Sequence, residues 1–195
     1  MNLKIIKYNA GNIQSVLYAL ERIGINAEVT DDADKIRSAD KVIFPGVGEA
    51  SSAMKSLREN NLDQLIIGLK QPVLGICVGM QLLCERSEEN HTTCLGVFPL
   101  QVKKFLASDR VKVPQIGWNN IFRLKSALFD NIPENSYIYN VHSYYAEDSP
   151  YSIATCHHGV DYAAAVHKEN FYGLQFHTEK SAETGEQILK NFLTL

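Results

Sequence analysis

The sequence predicts an α/β domain in which a parallel sheet is covered by helices, and three observations carry that expectation. Short apolar runs alternate with helical periodicity through the first half, as in successive strand–helix–strand units. The second half turns to closely spaced runs of β-branched and aromatic residues, which are expected to complete the same sheet and add an antiparallel layer. The chain has 195 residues, with no internal repeat, low-complexity tract or linker, which suits a single domain over 1–195.

Taken in order, Leu3 to Tyr8 reads as the first strand. Asn12 is placed to cap a helix running to Ile23, because Ile13, Val16, Leu17, Leu20 and Ile23 recur at helical spacing and Gly24 then supplies a stop. Ile25 to Thr30 and Lys41 to Phe44 read as the second and third strands, and Glu49 to Leu69 is helical with a break near Asn60-Asn61. Pro72 to Ile76 is a fourth strand, and Val78 to Glu85 opens another helix. Strands are then expected at Val97–Phe105, Asn120–Leu124, Ser136–Asn140, Ser152–His157, Tyr162–His167 and Gly173–Phe176. His157 to Asp161 has the look of a hairpin turn, and Ala182 to Leu195 places Ile188, Leu189, Phe192 and Leu193 on one helical face.

Composition narrows the function classes. Hydrophobic residues make up 45% and charged residues 21%, an ordinary globular mix, and the net charge of -3 argues against nucleic-acid binding. No apolar stretch is long enough to span a membrane, and Met1 to Tyr8 lacks the features of a signal peptide, so a cytoplasmic protein with reduced thiols is expected. The four cysteines, Cys77, Cys84, Cys94 and Cys156, include no C-x-x-C pair, so neither a metal site nor a redox motif is expected.

One cysteine stands out by context. Gly75-Ile76-Cys77-Val78-Gly79 follows a strand and opens a helix, the setting of a nucleophile elbow with sulfur in place of oxygen. The positive end of the helix favours a thiolate there, and the Val78 amide is placed to meet an oxyanion. Alone, the segment also fits a buried cysteine at a turn. A thiolate nucleophile needs a base and the base an orienter, and His177 and Glu179 supply them, two apart in an extended segment and so on one side of it. Alone, that pair also fits a solvated strand end. Pro45-Gly46-Val47-Gly48 follows the third strand, where two glycines let backbone amides turn toward a reacting carbonyl, though alone the run also fits a simple strand-to-helix turn. Cys84 reads as core, His142 as structural, the His157-His158 pair as a solvated turn, and Tyr137, Tyr139, Tyr144 and Tyr145 as packing along a strand. Lys103, Lys104, Arg110 and Lys112 read as a solvated basic face.

Together, Pro45 to Gly48, the run Gly75-Ile76-Cys77-Val78-Gly79-Met80-Gln81 and the run Gln175-Phe176-His177-Thr178-Glu179-Lys180-Ser181 resemble the triad (class I) glutamine amidotransferases. More narrowly, the chain is similar to the glutaminase subunits of imidazole glycerol phosphate synthase, through Gly11-Asn12-Ile13, Pro114-Gln115-Ile116-Gly117-Trp118-Asn119 and Tyr139-Asn140-Val141-His142-Ser143-Tyr144. The resemblance runs from the first strand to the last helix, and its P-G-V-G and P-x-x-G-W-N segments are more specific than the elbow. It implies the flavodoxin-like amidotransferase fold and hydrolysis of L-glutamine to glutamate and ammonia through a thioester on Cys77, with no cofactor. The implied partner is a (βα)8-barrel cyclase subunit, joined in a heterodimer, which uses the ammonia to make imidazole glycerol phosphate and aminoimidazole carboxamide ribotide in histidine biosynthesis.

The resemblance also implies roles. Cys77 is the nucleophile, His177 the base and Glu179 its orienter; Gly46, Val47 and Val78 present oxyanion amides. Gly48, Gln81, Ser143 and Tyr144 match glutamine-contacting positions, and Asn12, Trp118 and Lys180 match the cyclase interface. Two features depart from the family pattern: Thr178 stands where proline is usual, and Cys94-Leu95-Gly96-Val97-Phe98-Pro99-Leu100 lacks the outer glycines of the corresponding loop. They leave room for a paralogue that feeds ammonia to another acceptor, such as a surface-polysaccharide sugar. A stand-alone cysteine hydrolase on a related fold would have no reason to carry the Gln175-to-Ser181 segment and Trp118, and a binding protein that had lost catalysis would have no reason to keep all three triad residues.

Overall fold

The computed structural model describes residues 1–9 and 12–195, so Gly11 of the Gly11-Asn12-Ile13 stretch lies outside the described residues. The first half runs β1 (Leu3–Ile6), α1 (Ile13–Arg22), β2 (Glu28–Thr30), α2 (Ala33–Arg37), β3 (Lys41–Gly46), α3 (Ala50–Glu59), α4 (Leu62–Ile67), β4 (Val73–Cys77) and α5 (Val78–Leu83). The second half runs β5 (Cys84–Ser87), β6 (Thr92–Thr93), β7 (Phe98–Lys104), β8 (Gln115–Phe122), β9 (Tyr137–His142), β10 (Tyr144–Ala146), β11 (Ser152–His157), β12 (Asp161–Lys168), β13 (Phe171–Leu174) and α6 (Ala182–Thr194).

These elements build a nine-stranded sheet in the order β2-β1-β3-β4-β13-β12-β11-β8-β9. The β2-β1-β3-β4-β13 portion is parallel, the strand arrangement of a flavodoxin-like sheet, and β12, β11, β8 and β9 extend it antiparallel. Every residue of β1, β3, β4 and β13 is buried, as expected for strands covered on both faces. A second sheet, β10-β7-β5-β6, forms the added layer; its outer pairs are antiparallel but β5 and β7 run parallel. Among the described residues, no helix is long and apolar enough to cross a membrane.

Local chemistry explains the boundaries. At the end of α1, Gly24 takes a φ of 76° and its amide bonds the Glu21 carbonyl while the Ile25 amide reaches Leu20, each at 2.9 Å, the paired bonds of a Schellman stop. Asn12 sits at the start of α1 but in a left-handed conformation, and its side chain accepts from the Ser15 hydroxyl instead of capping backbone amides. The Glu49–Leu69 helical stretch does divide at Asn60-Asn61, with Asn61 left-handed. The helix after Cys77 ends at Leu83, short of the expected Glu85, because Leu95 and Gly96 amides take the Leu82 and Cys84 carbonyls and Cys84 turns into β5. The expected Asn120–Leu124 strand begins earlier, at Gln115, so the Pro114–Asn119 motif lies mainly on β8. The last sheet strand is Phe171–Leu174, in place of Gly173–Phe176, which leaves Gln175 to His177 beyond its carboxyl end. Tyr137 and Tyr139 lie on β9, whereas Tyr144 and Tyr145 lie on β10.

Candidate active site

Cys77 closes β4 with φ 53° and ψ −111°, a strained backbone that aims its side chain out of the strand-to-helix turn. The turn is tight enough to dictate its glycine: a Cβ on Gly79 would stand 2.0 Å from the Phe44 carbonyl oxygen. The β3–β4 register sets Gly46 directly beside Cys77, so Pro45 to Gly48 runs past the sulfur at the carboxyl edge of the sheet. Tyr8, at the edge of β1, anchors that run by donating its hydroxyl to the Pro45 carbonyl at 2.7 Å. Gly48 follows with φ 99°, a conformation that suits glycine.

His177 and Glu179 arrive from the chain beyond β13. The His177 amide donates to the Tyr139 carbonyl at 3.0 Å, which ties the segment to β9. Ser181 reinforces the tie: its hydroxyl donates to the His177 carbonyl at 2.6 Å and accepts from the Tyr139 amide at 2.9 Å. The pair does not meet along one extended strand as its spacing suggests. His177 is extended, but Glu179 sits on a single 3-10 turn, Thr178–Lys180, and reaches back so that Nδ1–H of His177 donates to its Oε1 at 2.7 Å.

The imidazole responds to both neighbours. Burial alone would pull the His177 pKa down, but hydrogen bonds to the Cys77 sulfur and the Glu179 carboxylate, with their charges, push it up to about 10. Burial raises the Cys84 thiol well above the ordinary thiol range and takes Cys94 and Cys156 to about 11. They remain protonated at neutral pH.

A cavity of about 370 Å3 opens over the sulfur, within the range of roughly 300–1,000 Å3 usual for small-molecule sites. It brings together Asn12, Val47, Gly48, Cys77, Val78, Gln81, Ser143, Tyr144, His177 and Lys180, ten of the positions singled out in the sequence. Gly46 lies beneath the turn, Glu179 behind the imidazole, and Trp118 outside on a separate concavity of about 480 Å3 that shares Pro114 with the first. Trp118 packs edge-on against Tyr139, over whose ring the Lys180 ammonium lies, so the expected interface position Trp118 adjoins the cavity.

The structure adds residues that sequence reasoning missed. Glu89 lines the cavity with its carboxylate anchored on the Ala50 amide at 2.7 Å. It follows β5 on a short turn within a charged stretch, where nothing in spacing marks it. His142 lines the wall and donates Nδ1–H to the Tyr144 carbonyl at 2.8 Å; burial lowers its pKa to about 4, so it stays neutral.

A buried cysteine, an imidazole braced by a carboxylate and a cavity with amides beside the sulfur form a site for attack on a planar carbonyl. The family model for class-I glutamine amidotransferases matches residues 4–195. The chain is a class-I glutamine amidotransferase. Imidazole glycerol phosphate synthase subunit HisH of Bacteroides fragilis is 52% identical over the whole of both chains. The HisH subunit of Haemophilus influenzae is 45% identical over 99% of this chain and 97% of its own. The amidotransferase therefore falls among the HisH glutaminase subunits of that synthase, an enzyme of histidine biosynthesis. The same fold recurs in a putative GMP synthase component from Thermoplasma acidophilum, with a TM-score of 0.75 at 19% identity over 100% of this chain and 93% of that one. PurLQS of Thermotoga maritima matches with a TM-score of 0.71 at 18% identity over 99% and 97% of the two chains.

Proposed function

We propose that this single glutaminase domain works in the cytoplasm, hydrolysing L-glutamine at Cys77 and passing the ammonia to a (βα)8-barrel cyclase subunit. The carrying observation is the sulfur–imidazole–carboxylate line of Cys77, His177 and Glu179 at one cavity that also holds an acidic side chain, Glu89. An amino acid with an electrophilic side-chain amide matches both ends: Glu89 and Gln81 Oε1 suit its ammonium group, while its amide carbon meets the sulfur. Backbone at Gly48, Ser143 and Tyr144 holds its remaining polar atoms.

The sulfur attacks the amide carbon and the carbonyl oxygen becomes an oxyanion, met by amides of Val78 and of the Gly46–Val47 run. Collapse breaks the C–N bond, His177 gives its proton to the departing nitrogen, and ammonia leaves a thioester. Water, deprotonated by His177, then releases glutamate and restores the thiolate. Asn12, Lys180 and Trp118 lie toward the proposed partner, with Asn12 and Lys180 on the cavity wall where ammonia would depart.

The test separates ammonia production from ammonia use. With the partner cyclase and its nucleotide substrate present, Cys77→Ala is expected to cut glutamine-dependent synthesis by about 10³-fold or more. Synthesis from added ammonium should continue at the unmodified rate. Loss of both activities would contradict the division of labour.

A further inference from the structure

Gln175 opens the segment that carries His177 and Glu179 and has no part in the reaction described above. Its side chain is fully buried, and its Nε2 lies 3.9 Å from Sγ of Cys77, within the longer reach of hydrogen bonds to sulfur. Which end of the amide faces the sulfur follows from its neighbours. The Tyr144 carbonyl can only accept, so the Gln81 atom 3.0 Å from it is Nε2. That same Nε2 meets Gln175 at 3.0 Å, which requires an acceptor there, Oε1. The Nε2 of Gln175 is then the end turned to the sulfur. The arrangement is braced further back, where the neutral His142 holds the Tyr144 carbonyl from its other side.

An N–H aimed at sulfur favours thiolate over thiol. We propose that Gln175 is a catalytic residue of this site, donating a hydrogen bond to the Cys77 thiolate through an amide whose orientation is set by Gln81 and the Tyr144 carbonyl. The proposal rests on Cys77 being the nucleophile.

Alkylation of Cys77 by iodoacetamide in the full-length chain, followed across pH by mass spectrometry, reads the thiolate without glutamine or partner. Gln175→Met removes donor and acceptor at similar volume without adding charge and is the deciding variant; Gln175→Glu keeps an acceptor for Gln81 but, when ionised, adds a charge that itself disfavours the thiolate. In either folded variant the rise of alkylation with pH is expected to move up by about one unit or more, and alkylation below that rise to slow about tenfold. An unchanged profile in a folded variant would overturn the proposal. In the unmodified chain, the Gln175 side-chain amide resonance should shift over the same pH range and cease to do so in Cys77→Ala. A resonance indifferent to the sulfur would overturn it equally. If Cys77→Ala, in complex with the cyclase subunit, still hydrolyses glutamine, the nucleophile assignment falls and Gln175 falls with it.

Discussion

His177 holds a proton that burial alone would strip from it. Its pKa rises from 6.5 to about 10 because the Cys77 sulfur and the Glu179 carboxylate both favour the imidazolium. In the proposed reaction the imidazole therefore carries, before substrate arrives, the proton that the leaving nitrogen needs. Because the folded value lies above the unfolded one, the stabilisation is fully present below pH 6.5 and is lost as pH climbs through about 10. Once the loss of the substrate's own ammonium proton is allowed for, the enzyme's alkaline limb in glutaminase kcat/KM should accordingly lie near pH 10. Glu179→Gln removes one of the two charges behind the shift, so it is expected to draw that limb toward neutrality. It should also lower kcat about ten- to hundredfold, the worth of one hydrogen bond to a charged group. A pH–rate series on both proteins measures this, and an unmoved limb would mean that the carboxylate does not hold the proton.

At the scale of elements, the proposed triad depends on how β9 grips the chain beyond β13. The Tyr139 backbone contributes both of its polar groups, the carbonyl to the His177 amide and the amide to the Ser181 hydroxyl, which in turn bonds the His177 carbonyl. Ser181→Ala would leave the Tyr139 amide without a partner and the His177 carbonyl with the Lys180 amide alone, at a cost of about 1–3 kcal/mol. Thermal melts should show the loss of stability and kcat should fall, because the freed segment carries the imidazole; a variant with unaltered Tm and kcat would show the grip to be dispensable. This tether also marks the limit of what was legible in sequence. Gln175 to Ser181 announced its chemistry through residue types, but the 3-10 turn that swings Glu179 back, and the β9 backbone holding it, depend on contacts remote in sequence. The same contrast holds for whole elements. The strands β1, β3 and β4 and the helix α1 carry strong apolar patterns and were readable. The helix α2 has five residues and one fully buried side chain, Ile36, and β5 exposes Glu85 and Arg86, so periodicity had nothing to work on. Glu89 follows β5 and was missed with it.

Across the whole molecule, the antiparallel extension leaves an apolar row on its last pair of strands. Ile116 faces Val141 and Trp118 faces Tyr139 in direct cross-strand register, and Tyr137 continues the row opposite Asn120. Ile116 and Tyr137 are each 64% exposed, Trp118 54% and Val141 36%. Scattered exposed apolar residues are ordinary, but a registered row beside a cavity mouth is the form of a docking surface. The cavity itself argues where a partner would sit: Pro114 and Val141 belong to its lining, and Lys180 reaches from the lining to the Tyr139 ring. A partner on this row would lie over the cavity mouth, the proposed exit for ammonia, so one surface would serve both binding and transfer. The Trp118 contribution is separable from folding, since its ring stands outward and its contact is the partly exposed Tyr139. Trp118→Ala is therefore expected to leave the folding stability within about 0.5 kcal/mol of the unmodified chain, with little change in Tm, as surface substitutions do. Its affinity for the cyclase subunit should fall about tenfold or more, the cost of removing an aromatic anchor from an interface. Calorimetric titration with the partner decides it. Unchanged affinity would move the docking surface elsewhere, while a fall matched by a large drop in Tm would show that Trp118 supports the sheet itself.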